Sequence, residues 1–199
     1  MRQSKEEAAR TRARIVKTAS RAYRRRGLDG VGLAEVMAEA GLTHGGFYKH
    51  FPSKDALAAE AVAFALEETR GTLQAAIAAA PPGGGLTALV ETYLTPAHRD
   101  RPERGCALAA LGTAAAHGAP AVRAELAKGY RRLADLAAVQ MAGGDAEARQ
   151  ARGRALASAM VGALMLARAE PDPARADAVL AENRAALIAA FGGGTPAID

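Results

Sequence analysis

The sequence predicts an all-α protein with an N-terminal three-helix helix-turn-helix domain and a larger C-terminal helical domain. Three observations carry that expectation. Half of the 199 residues are apolar, yet aromatics make up only 4%; alanine dominates, a residue that favours helix and lets helices approach closely. No alternating β-branched run reads as a strand. Glycine and proline punctuate the chain at Gly27, Gly41, Pro52, Pro81-Pro82-Gly83-Gly84-Gly85, Gly143-Gly144 and Pro171-Asp172-Pro173, and the apolar residues between these breaks recur at helical spacing.

The first helix is expected from about Lys5 to Arg26, with Ile15, Ala19 and Ala22 or Tyr23 as its buried stripe and Gly27 as its stop. A short amphipathic run, Leu33 to Ala40, follows. Gly41 after it supplies the left-handed turn that ends one helix and admits another. Thr43 can then cap a helix in which Phe47 and Phe51, four apart, share the buried face. Leu33, Val36 and Met37 are expected to close a three-helix core with Ile15, Tyr23, Phe47 and Phe51. Pro52 ends the element, and Ser53 caps the next at Lys54-Asp55.

With Phe47 and Phe51 as anchors, the other side of this helix is left to Tyr48, Lys49 and His50, and Gly45 and Gly46 allow backbone to approach a surface at its start. A helix of this kind fits the roughly 12 Å wide major groove, its first residues at base edges and its flanks at phosphates. An ordinary helical hairpin with Tyr48 and His50 as packing residues is the bland alternative. The charge distribution argues against it. Through Lys54 there are 12 Lys and Arg against 5 Asp and Glu, a net of +7, and the remainder has 14 against 16, a net of −2. Positive charge concentrated at one end speeds encounter with a polyanion and makes affinity fall with salt. A solvated basic face explains Arg24-Arg25-Arg26 alone, but not the asymmetry.

The run Gly41 to Leu57, preceded by a helix ending at Arg26-Gly27, resembles the DNA-binding domain of the TetR family of transcriptional repressors over roughly the first 60 residues. The resemblance implies that Tyr48, His50 and Lys54 hold phosphates while Thr43, His44, Gly45, Gly46 and Lys49 line the groove. It also implies backbone contacts by Arg10, Arg12 and Arg14. One departure stands out: Gly32 occupies a position where the family usually has a Thr or Ser that caps the preceding helix and touches phosphate. Glycine can cap but has no hydroxyl.

From Lys54 a long helix is expected past Leu57, Val62, Phe64 and Leu66 toward Ile77, a rigid lever between the two domains, drawn at 1–55 and 56–192 with 193–199 as a frayed tail. Beyond the Pro/Gly loop, helices are expected at about 85–97, 105–117, 119–141, 146–169 and 173–191, with Thr95-Pro96 to Gly105 as a loop. Ala155, Ala159, Gly162, Ala163 and Met165-Leu166 on one terminal helix, and Val179, Leu180, Asn183, Leu187 and Ile188 on the other, form apolar stripes that can pack two-fold into a four-helix bundle.

Together these readings describe a homodimeric regulator, a repressor released from a pseudo-palindromic double-stranded operator by a small-molecule effector. By resemblance, the effector site lies among the helices at about 54–141, with Phe64, Tyr93, His98, Cys106, Leu108, His117 and Tyr130 as candidate lining residues. No cofactor or metal is called for. Cys106 offers an alternative, a redox, electrophile or metal response: it stands near a helix start after Arg99, Arg101 and Arg104, a setting that favours a thiolate.

An enzyme is the poorer reading. Gly83-Gly84-Gly85 lacks the Lys-Ser/Thr of a P-loop. Cys106 and His117, on one helix face, would lie about 16 Å apart along the axis, too far to act as a pair; His98 could approach either. No apolar stretch reaches the roughly 18 residues of a membrane span, no signal-peptide core follows the basic start, and the lone cysteine does not indicate an oxidising compartment. The expected location is cytoplasmic.

Overall fold

A computed structural model describes residues 5–115 and 118–192. The described residues are all-α, and they divide into two compact units. One comprises the described residues up to Glu67 with Pro102–Ala127, and the other Glu68–Arg101 with the described residues from Lys128 onward. His117 and the expected tail, 193–199, lie outside the described residues.

In the first unit, α1 (Lys5–Arg26) and α2 (Leu33–Glu39) are followed by a 3-10 segment, His44–Lys49, and by the start of α3 (Lys54–Ala79). Gly27 ends α1 at φ +80 and Gly41 ends α2 at φ +71, both in the left-handed region that favours glycine. The Ser53 hydroxyl accepts from Ala56 N at 3.1 Å and so caps α3 as its position suggests. Ile15, Ala19, Ala22, Tyr23, Val36, Met37, Phe47, Phe51 and Leu57 are all buried, while Leu33, expected among them, is half-buried. A second 3-10 turn, Pro102–Arg104, and α6 (Ala107–Ala115) belong to the same unit and pack on α1.

The second unit contains the end of α3, α4 (Gly85–Tyr93), α5 (Pro96–Asp100), most of α7 (Pro120–Val139), α8 (Ala146–Ala169) and α9 (Pro173–Gly192). Here α8 packs along α9, α4 against α9 and α5 against α8. Gly153 lets α8 approach α7 closely: a Cβ there would stand 2.5 Å from the Ala134 carbonyl oxygen. Asp145 caps α8 by accepting from Ala148 N at 2.8 Å.

Two expectations need correction here. The helix drawn through 85–97 stops at Tyr93, and the supposed loop after it contains α5 and the 3-10 turn. Pro96 has no N–H with which to continue α4, whereas Thr95 accepts from His98 N at 3.1 Å and starts a new helix with Pro96 at its first position. Within the terminal stripes, Ala163, Leu180 and Leu187 are buried in the chain's own core. Ala155 and Leu166 remain exposed, and Ala159, Gly162, Met165, Val179, Asn183 and Ile188 are half-buried.

Candidate nucleic-acid interface

The element at the centre of the candidate interface is a short 3-10 segment rather than the longer helix expected. Its apolar side is held by Phe47 and Phe51, whose rings stack at 5.6 Å with an interplanar angle of 20°. That pair fixes which side faces out. Tyr48, 69% exposed, leans edge-on against Phe47 at 5.1 Å, so its ring is supported while the phenol projects. Thr43, His44, Gly45 and Lys49 are exposed, Gly46 and His50 half-exposed, and Lys54 is exposed at the first position of α3. A lysine at a helix N-terminus opposes the macrodipole, a local cost that an anion bound there would offset.

Thr43 stands at the cap position in extended backbone, and its carbonyl accepts from Gly46 N at 3.1 Å, but its hydroxyl makes no capping bond. The hydroxyl is thus not committed to the helix start as expected. Gly32 caps α2 with backbone alone, its carbonyl accepting from Val36 N at 3.1 Å.

The N-terminal arginines divide in a way the linear pattern did not reveal. Arg10 pairs with Glu6 and Arg26 with Glu35, while Arg14, Lys17 and Arg25 are exposed. Arg12, expected at the DNA backbone, instead forks onto the Glu60 carboxylate with both terminal nitrogens. Arg24, read as part of a solvated basic run, is only 3% exposed and donates to the carbonyls of Ser20 and Gly105. A sequence signal existed for both. Arg12 precedes Ile15 and Ala19 at helical spacing, and Arg24 follows Val16 and Ser20 at four-residue steps, so both occupy inward lines of α1.

Burial pushes the Tyr23 phenol up to about 12, with the negative charge of Asp55 adding to the effect. Its hydroxyl is enclosed and has no hydrogen-bond partner among the described residues.

The candidate effector residues fall in different units. Phe64, Cys106 and Leu108 belong to the first, and Tyr93, His98 and Tyr130 to the second. Phe64 is half-buried, while Leu108 and Tyr93 are core residues. His98 donates from Nδ1 to the Tyr93 carbonyl at 2.7 Å and meets the Tyr93 ring edge-on. Tyr130 reaches the Arg154 carbonyl at 3.2 Å and the Ser158 hydroxyl at 3.1 Å. Cys106 is 2% exposed and lies one residue before α6. The partly open, reactive thiol required for a redox or electrophile response is therefore not what the fold builds.

Fold and outward face together define a helix-turn-helix protein with a helical C-terminal region. Residues 15–61 match the family profile described as bacterial regulatory proteins, tetR family. The regulator TtgR of Pseudomonas putida is 41% identical over 73 residues, 37% of this chain and 34% of that protein; the probable regulator ArpR of the same species matches to the same extent. The alignment thus spans about a third of the length of these curated relatives. A TetR transcriptional regulator from Chloroflexus aurantiacus shares the fold with a TM-score of 0.77 at 22% identity, over 92% of this chain and 95% of that one. A TetR-family regulator from Cytophaga hutchinsonii does so with a TM-score of 0.79 at 20% identity, over 96% and 98%. The family match thus lies within residues 15–61, and over nearly the whole chain it is the fold that is shared with the two solved regulators. No helix among the described residues is long and apolar enough to cross a membrane.

Proposed function

We propose that the protein is a homodimeric, sequence-specific DNA-binding transcriptional regulator, acting as a repressor that a small-molecule effector releases from its operator. The observation that carries this reading is the outward face of the 3-10 segment. Tyr48 and Lys49 project from a side held rigid by the Phe47/Phe51 stack, with Thr43 and His44 exposed at its start and Lys54 just beyond. In this reading Tyr48, His50 and Lys54 hold phosphates, while Thr43, His44, Gly45, Gly46 and Lys49 face base edges. Two copies paired through the exposed parts of α8 and α9 would present two such faces to a pseudo-palindromic site. Release requires an effector that binds the non-DNA-binding state more tightly than the other, since equal affinity shifts nothing. Phe64, Tyr93, His98, Cys106, Leu108, His117 and Tyr130 are the effector contacts that the family resemblance suggests.

The test is selection from a randomised duplex library with the full-length protein, followed by titration of the recovered duplex at several salt concentrations. An inverted repeat bound with strongly salt-dependent affinity is expected. Recovery of no motif, or binding indifferent to salt, overturns the reading.

A further inference from the structure

We propose that Arg12 is a positioning residue that caps and aims the recognition segment instead of touching the DNA backbone. The inference rests on the DNA-binding reading above and deepens it by naming a determinant of base selectivity. From α1, the two terminal guanidinium nitrogens donate to the two carboxylate oxygens of Glu60 on α3. The Arg12 Cζ stands 4.5 Å from the centroid of the Phe51 ring, and Nε lies 3.4 Å from the His50 carbonyl oxygen. One side chain thus engages α1, α3 and the end of the recognition segment together.

That end needs holding. A 3-10 run of six residues, His44–Lys49, cannot satisfy its own last carbonyls. His50 is its C-terminal cap, and a cation beside its carbonyl complements the negative end of the local dipole. Phe51, the ring under the guanidinium, is one of the two anchors that fix the outward face. Only a planar guanidinium can fork onto a carboxylate, lie over a ring and reach a carbonyl at once; an ammonium supplies a point charge. The Glu60 partner also cancels the charge that a phosphate contact would use. With three of its five N–H groups directed at protein acceptors, Arg12 acts through the segment and not on the duplex.

Arg12→Lys and Glu60→Gln separate positioning from charge. Removing an anion from a DNA-binding face should tighten binding if charge alone matters. The positioning role requires the opposite. On the duplex selected by the wild type, each variant is expected to bind about tenfold or more weakly, and the double variant no worse than the weaker single, because both break one unit. Affinity for an unrelated duplex and the salt slope should stay as in the wild type, and reselection should return a relaxed motif. Both changes conserve size, and thermal unfolding of the full chain verifies that the fold is kept. If Glu60→Gln binds the selected duplex as well as or better than the wild type, or if binding to both duplexes falls together, the assignment is overturned. A wild type that selects no motif overturns the DNA reading itself, whereas a wild type that selects one while Glu60→Gln keeps it removes only the role of Arg12.

Discussion

The guanidinium of Arg24 donates to the carbonyl of Gly105 at 2.8 Å across 81 positions of chain, from a side chain that is 3% exposed. Both residues belong to the unit that carries the recognition segment, and the bond joins the end of α1 to the turn that leads into α6. Buried cations persist only where acceptors meet them. Arg24→Ala is expected to destabilise the protein by about 2–4 kcal/mol, because it empties an interior site and strips the Gly105 carbonyl of a charged donor. Urea unfolding measures this directly, and a loss below about 1 kcal/mol would show that the buried bond contributes little.

Tyr23 sits close by on α1 with its hydroxyl enclosed and unbonded among the described residues. A phenol raised to about 12 in the folded state, from 10.0 in the unfolded chain, favours the protonated form on folding. Its contribution is therefore fully present below pH 10.0 and lost as pH rises through about 12. Tyr23→Phe removes an unsatisfied polar atom without changing the ring, so it should leave stability at neutral pH unchanged or slightly higher. It should also flatten the alkaline decline relative to wild type. Parallel alkaline limbs for the two proteins would contradict this.

Lys54 and His44 are expected to behave differently on DNA. Lys54→Ala should weaken binding to all duplexes about equally and reduce the salt slope by roughly one unit, the signature of a lost phosphate contact. His44 or Lys49 substitutions should change which bases are preferred. If selection with those two variants returns the wild-type motif, neither reads base edges.

Leu166 is 66% exposed on α8, four residues along the helix from Gly162, with Ala159 and Ala155 seven and eleven residues before it. A charge there meets its own symmetry mate in a two-fold pairing. Leu166→Arg should yield a folded monomer by light scattering, with loss of operator affinity but retention of weak general DNA binding. A variant that stays dimeric at micromolar concentration excludes Leu166 from the interface.

The end of α1, the turn at Gly41 and the cap at Ser53 were legible because each depends on residues only a few positions apart. Glycine at positive φ and a hydroxyl or carboxylate facing an unpaired N–H carry their meaning locally. The burial of Phe47, Phe51, Val36 and Met37 was equally readable from periodicity. The break at Leu94–Thr95 was locally encoded too, in Pro96 and its capping threonine, and the expected loop starts there, although the expected helix overlaps it as far as 97. What the tertiary structure alone decided lies between distant residues. The same arginine pattern along α1 yields Arg10 paired at the surface, Arg12 forked onto Glu60 and Arg24 sealed inside against Gly105. Helical spacing places these side chains on faces but says nothing of the partner brought to each face. Whether a guanidinium becomes a phosphate contact, a strut or an interior bond depends on acceptors 48 or 81 positions away, which only the folded chain sets beside it.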